Sequence, residues 1–437
     1  MAGIDVISSS VVKMANDASS SISRMELSPF DLRLLLLDPI QRGVLFRKPK
    51  SPKIDINLLK TSLSRTLDFF PPLAGRLAAT AHSDGTTTFF TDCNNAGVEF
   101  THAVAADVTV SDIITPRYIP DVVASLFTLN GVRNYKGVSN PLIGVQVTEL
   151  ADGVFVACTA NHGVIDGVSF WHFLNSWSEI ARGCDSVAKL PVFQRLIHPD
   201  AVLRLPPLPR KASFAPPPLL ARVFHFSKES VAKLKAKANA EAGANGRISS
   251  LQALSAHLWR SSMLSRRRHI TTKKTCQGSG GGGEAGFMMS VSARARFPLP
   301  DGYFGNAAYG ARTAVSEAEL LHKGLGHTAL RINEFVAGQT KESLEKFVRD
   351  WSENPKFHGK EGYSFFISSS PRHNVYGIDF GWGKPIAVRR GNSQKVDGMV
   401  TVYPAPQAGG IDAEVFLAPE VMEGMEADHE FMEAFLA

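Results

Sequence analysis

Cysteine is scarce and scattered. The four cysteines, Cys93, Cys158, Cys184 and Cys276, never stand at CxxC spacing. That excludes a thiolate zinc site and a disulfide framework, and leaves reduced thiols in an intracellular setting as the expectation. Long apolar runs are missing too. No stretch approaches the roughly 18 apolar residues of a membrane span, so no membrane contact is expected. The first residues, "MAGIDVISSSVVKMANDASSS", show no basic segment followed by an apolar one. Asp5 and Asp17 fit a transit peptide poorly, and a cytoplasmic location is expected. Dense positive charge is absent: the net charge is +6, and "SRRRH" and "TTKKT" are too short for a nucleic-acid stripe. The mild positive balance still favours attraction of a small polyanion. There is no HExxH, no GxSxG elbow, no GK[ST] and no repeat of fixed period. The glycine run "GSGGGGEAG", Gly278 to Gly286, has no strand–helix context for phosphate binding and reads as a flexible surface loop.

What is present is a globular composition, with 44% hydrophobic and 20% charged residues. At 437 residues the chain is too long for one ordinary core, so two domains are expected. The pattern is mixed α/β. "INLLKTSLSRTLDFFPPLAGRL" has helical spacing through Leu58, Leu59, Leu63 and Leu67 and stops at Pro71. "GTTTFFTD" and "VEFTHAV" read as strands. "LIGVQVTELADGVFVACTAN" reads as a hairpin whose first arm alternates Val145 and Val147 with Gln146 and Thr148. "VSFWHFLNSWSEIAR" is an amphipathic helix. From Ser186 to Leu220 the sequence is proline-rich and aperiodic, the signature of a linker. The expected division is therefore 1–185, a crossover over 186–220, and 221–437. In the last part "SKESVAKLKAKANAEA" and "ISSLQALSAHLWRSSML" are helical, the second with Ser249 or Ser250 as N-cap. "FMMSVSARARF" and "KVDGMVTVYPA" read as strands.

Chemistry points to "NHGVIDG", with His162 four residues before Asp166. Among 13 histidines one HxxxD by chance is expected on the order of once, so spacing alone decides little. The context adds to it: the segment follows a strand and precedes a helix, a junction that can present a side chain into a cleft. No second His or Cys stands at metal-ligand spacing and no serine or cysteine nucleophile is evident. A lone base suited to proton transfer near neutral pH remains. "DFGWGKP", Asp379 to Pro385, reads as a sharp structural turn around a buried tryptophan. Its first three letters evoke a kinase metal loop, but the other kinase signatures are missing.

Taken together, "HGVIDG" and "DFGWG" resemble the plant BAHD acyl-CoA-dependent acyltransferases. "LSPFDL", "PLAGRL" (Pro72–Leu77), "LQALSAHLWR" (Leu251–Arg260) and "YFGN" (Tyr303–Asn306) match as well, in order, over nearly the whole chain. The resemblance implies two chloramphenicol-acetyltransferase-like domains joined by a long crossover, with a channel between them. It implies His162 as general base for transfer from acyl-CoA to a hydroxyl or amine of a small plant metabolite. Acyl-CoA enters as co-substrate, with no permanent cofactor, no metal, no nucleic acid and a monomeric state. Asp166 is implied to be a brace paired with an arginine, Arg294 or, after it, Arg296. Gly167, Asp379, Phe380, Gly381, Trp382 and Gly383 are implied to hold the architecture. Many members carry Ser/Thr-x-Trp nine residues before the DFGWG aspartate; here Ser370 stands at the Trp position. Ser368 and Ser370 are candidates for an oxyanion donor, though turn stabilisation is the simpler role. Ser249 and Ser250, at a helix N-terminus, are candidates for the CoA phosphates. Two other classes stay open: the same fold used as a lyase or CoA-independent enzyme, and a binding protein without catalysis.

Overall fold

The computed structural model describes residues 3–16, 22–49, 54–195, 202–209, 218–273, 283–357, 364–393 and 395–436. Cys276 and most of the glycine run lie outside the described residues, as do two parts of the proline-rich segment. Among the described residues no helix is long and apolar enough to cross a membrane.

Two six-stranded sheets dominate. In the first, Asp5–Val12, Val98–Ala105, Ile143–Leu150, Gly153–Ala160, Ile40–Arg47 and Ala387–Arg390 follow one another edge to edge. In the second the order is Ala308–Ser316, Glu284–Ser292, Phe365–Ser369, Met399–Pro404, Ile411–Leu417 and Leu220–Phe226. The chain thus leaves the second sheet after Ser369, adds one strand to the first, and returns at Met399. That strand falls within 221–437 but completes the sheet of 1–185, pairing Arg390 with Arg42 and Ala387 with Leu45.

The hairpin forms where the sequence places it, with Val145 opposite Cys158 and Val147 opposite Val156. Both faces of its first arm are covered. Gln146 and Thr148 are buried, and the Gln146 amide donates to Thr148 Oγ1 at 3.1 Å and to the Ser125 carbonyl at 3.2 Å. Buried polar groups persist in this way when they satisfy each other. The helix Ile56–Leu67 starts at Asp55, whose side chain accepts from Leu58 N–H. It buries Leu59, Leu63 and Leu67, one stripe at i, i+4, i+8, while Leu58 turns to solvent. "FMMSVSARARF" is only partly strand: pairing stops at Ser292, and the two arginines sit on the turn beyond.

The proline-rich segment is less a free linker than its composition suggested. Leu205 bridges Thr87, and Val192 bridges Tyr303. Arg195, nine-tenths buried, donates to the Phe304 carbonyl at 2.6 Å and pairs with Asp31 at 3.2 Å. Gly305 leaves room for it: a Cβ there would run into the Arg195 guanidinium. Apolar and aperiodic sequence hid this anchor, because an ion pair between remote residues leaves no local pattern.

Candidate active site

His162 stands just past the end of strand Gly153–Ala160 and just before helix Gly167–Ala181. Its loop is tied by amides. Asn134 Oδ1 accepts from His162 N–H at 2.8 Å, and Asn161 Oδ1 accepts from Gly163 N–H at 2.9 Å. Asn161 donates to the Asn134 carbonyl, and Asn306 Nδ2 donates to the His162 carbonyl at 2.8 Å. The ring itself is fixed by one contact: Nδ1 lies 2.9 Å from the Ile165 carbonyl oxygen. A carbonyl only accepts, so Nδ1 carries the proton and Nε2 is left bare. Burial lowers the imidazole's pKa, and the Arg33 charge lowers it further; the Ile165 carbonyl and Asp166 oppose this without reversing it. The ring is therefore neutral at neutral pH.

Asp166 does not touch that ring. It is the N-cap of helix Gly167–Ala181 and accepts from Ser169 N–H at 3.0 Å. Arg294 grips it as a fork, through Nη1 to Oδ2 and through Nη2 to Oδ1 at 3.0 Å, while Ala307 N–H donates to Oδ2 at 3.0 Å. Burial pushes the carboxyl's pKa up, but the Arg294 charge and these hydrogen bonds outweigh it and the net shift is down. Arg296 goes elsewhere, to the carbonyls of Gln339, Ser292 and Val336. A second buried carboxylate sits behind. Asp31, from "LSPFDL", accepts from Asn306 Nδ2 at 2.8 Å and pairs with Arg195. Asn306 therefore bridges Asp31 to the backbone of His162.

A cavity of about 780 Å³ opens beside His162, lined from both sheets. Ser368 and Ser370 line it, and so do Arg42, Arg372, His373 and Arg390. Ser368 Oγ lies 3.3 Å from Thr401 Oγ1. Ser370 Oγ accepts from Arg372 N–H at 3.1 Å, closing a turn. Between them Ser369 adopts φ 70°, a left-handed conformation rare for serine. His373 faces Gly167, and burial lowers its pKa to about 4. Leu251, in the first turn of helix Ser250–Lys273, also reaches the cavity. Ser249 is that helix's cap: its hydroxyl accepts from Gln252 N–H, and Gln252 Oε1 accepts from Ser249 N–H at 2.8 Å. Neither Ser249 nor Ser250 lines the cavity.

The "DFGWG" residues do not line it either. Asp379 Oδ1 accepts from Gly381 N–H at 2.8 Å and Gly383 N–H at 2.9 Å. Both glycines have φ near +90°, at 89° and 88°, which a side chain would oppose. The buried ring of the turn is Phe380, not the tryptophan. Phe380 packs on Trp177 at 4.7 Å, while Trp382 is half-buried, edge-on to Phe46 at 5.5 Å. Arg182, closing helix Gly167–Ala181, donates to the Asp379 carbonyl. The turn thus fastens the chain to that helix just before strand Ala387–Arg390. Sequence reasoning passed over Asn134, Asn161, Arg195, Arg42, His373 and Arg390. Asn161, Asp31 and Asn306 lay inside stretches already quoted, but their chemistry was unreadable without their partners.

A family profile described as "Transferase family" matches residues 2–432. The chain is 37% identical to an uncharacterized acetyltransferase of Arabidopsis thaliana, covering 99% of each chain. It is 32% identical to the BAHD acyltransferase DCR of the same plant, over 94% of this chain and 88% of that one. The fold is that of vinorine synthase, with a TM-score of 0.76 at 21% identity over 99% of this chain and 98% of that one. It is also that of F. sporotrichioides TRI101 complexed with coenzyme A and T-2, with a TM-score of 0.75 at 18% identity over 94% and 98%. Mixed α/β sheets, an ordered set of motifs and full-length similarity agree: the chain belongs to the BAHD acyltransferase family.

Proposed function

We propose that this chain transfers an acyl group from acyl-CoA to a hydroxyl or amine of a small plant metabolite, with His162 as general base. The observation that carries the reading is the bare Nε2 of a neutral, backbone-locked imidazole beside a cavity large enough for a small molecule. Nε2 takes the acceptor's proton as its oxygen or nitrogen attacks the thioester carbonyl. The tetrahedral intermediate collapses, the C–S bond breaks, and the imidazolium returns the proton to the CoA thiolate. No covalent acyl-enzyme forms.

Asp166 and Arg294 hold the loop that carries His162 and stay out of proton transfer. Ser370 is the better oxyanion donor of the two serines, because its oxygen accepts within the turn while its O–H remains free to donate. The phosphates of CoA bind at the N-terminus of helix Ser250–Lys273, whose Leu251 already reaches the cavity. In this reading residues 1–185 and 221–437 form the two domains and 186–220 the crossover, with Ala387–Arg390 lent by the second domain to the first.

The test is a panel of acetyl-, malonyl-, coumaroyl- and benzoyl-CoA against a plant extract, followed by thiol release and mass spectrometry. Free thiol is expected only with an acyl-CoA and an acceptor together. Consumption of an extract component with no CoA ester present would favour the lyase class instead, and no thiol from any pair would overturn the reading.

A further inference from the structure

The cavity wall holds a feature that general-base acyl transfer does not require. Arg42 and Arg390 stand directly opposite each other on neighbouring antiparallel strands, and both reach the cavity. Like charges in that position repel. Arg195, Arg222 and Arg294 each reach a carboxylate. Among the described residues neither Arg42 nor Arg390 makes an ion pair. Arg42 donates to its neighbour's carbonyl, that of Gln41, at 2.8 Å, and its guanidinium lies 5.7 Å from the Tyr403 ring centre. Arg390 is 3% exposed. It donates to Thr401 Oγ1 at 3.0 Å and to the Ser393 carbonyl, and its Nε has no partner. The Tyr403 hydroxyl, also buried, has none either.

The nearby buried carboxylate is Glu414. It accepts the backbone N–H of Arg390 at 3.4 Å rather than the guanidinium, and burial raises its pKa against the pull of the arginines. Burial lowers Arg390 to about 10, with the Arg42 charge adding to the effect and Glu414 and Asp38 opposing it, so the Arg390 guanidinium stays charged at neutral pH. The pair is also close to the reaction. Thr401, which receives Arg390, is within 3.3 Å of Ser368 on the cavity wall. Two cations that make no ion pair among the described residues and an unpartnered buried N–H, on the same cavity as His162, make a site for an anion. Guanidinium forks match the two oxygens of a carboxylate.

We propose that Arg42 and Arg390 form a carboxylate subsite, so that one of the two substrates meeting at His162 carries a carboxylate group. The identification of that group as a substrate's rests on the acyl-transfer reading; the subsite itself does not. The carboxylate belongs either to the acceptor or to the far end of the acyl chain, and binding measurements separate the two.

The experiment is calorimetric titration of wild type and Arg42→Gln with 4-hydroxybenzoate, 4-hydroxybenzamide, acetyl-CoA and malonyl-CoA. An acceptor carboxylate predicts that wild type binds the acid at least about tenfold tighter than the amide. Arg42→Gln then brings the two within about threefold, with amide binding unchanged. A carboxylate on the acyl chain predicts the same contrast between malonyl- and acetyl-CoA. Equal binding within both pairs in wild type overturns the proposal. So does an Arg42→Gln that weakens acetyl-CoA as much as malonyl-CoA, which would assign the arginines to the CoA phosphates. Acid selectivity without any binding of CoA esters keeps the subsite and removes the acyl-transfer reading. If Arg42→Gln does not fold, the wild-type contrasts and the variant Arg42→Lys, which keeps the charge and loses the fork, decide between the same outcomes.

Discussion

His162 is useful as a base only while Nε2 is unprotonated. Burial and the Arg33 charge lower its pKa below the ordinary 6.5, so the active form persists to more acidic pH than for a free histidine. The kcat/KM profile should therefore stay flat from neutrality down past pH 6.5 and fall only below it, by a single protonation. An acid limb centred above 6.5 would contradict the lowered value. His162→Ala should cut kcat by roughly 10²–10⁴ while leaving acyl-CoA affinity nearly unchanged. Turnover above about a tenth of wild type would remove His162 from the chemistry. At this scale the motif named the residue and its junction, but not what aligns it. The partner of Nδ1 is the Ile165 carbonyl, and a backbone oxygen has no letter in the sequence. The amides of Asn134 and Asn161 were equally silent, because asparagine is common in turns for reasons unrelated to catalysis.

Helix Gly167–Ala181 was legible from its apolar stripe, and its start from the strand before it. Its cap carries more than a helix. Asp166 closes the first turn, anchors Arg294 and takes Ala307 N–H from the opposite half of the chain. Removing one partner of such a buried pair costs about 3–5 kcal/mol, against a typical total of about 5–15 kcal/mol. Asp166→Asn and Arg294→Ala should each lower the melting temperature, and their double mutant should lose less than the sum of the two. His162→Ala should melt like wild type. An Asp166→Asn that melts normally yet is inactive would instead place Asp166 in the chemistry. The direction with pH also follows. The carboxyl's pKa is lowered in the folded state, so its stabilisation is complete above the unfolded value, about 3.9, and is lost as pH falls through the folded one. The pairing with Arg294 rather than Arg296 was left open by sequence, since the two arginines differ only in where the turn after Ser292 points them.

The mixed α/β fold followed from the strand and helix patterns, and solved structures of the same fold agree with it. Strand Ala387–Arg390 did not follow. Four residues, "AVRR", are too short for a periodic signal, and their partner lies near the other end of the chain. The "DFGWG" turn before it fastens the chain to helix Gly167–Ala181 without touching the cavity. Phe380→Ala should cost about 3–5 kcal/mol by emptying the space against Trp177. Measured well below the melting midpoint, its turnover should fall far less than that of His162→Ala; an equal loss would mean the turn acts on the chemistry directly. The same excursion of the chain bears on synthesis. Strand Ile40–Arg47 leaves the ribosome some 340 residues before the strand that covers its outer edge. At translation rates of about 5–20 residues per second, that edge waits on the order of a minute or somewhat less. An unpaired edge is a template for pairing with other chains, so the nascent protein is most exposed to aggregation through the first sheet. The first sheet is then completed by the arrival of the same four residues that bring Arg390 to the cavity.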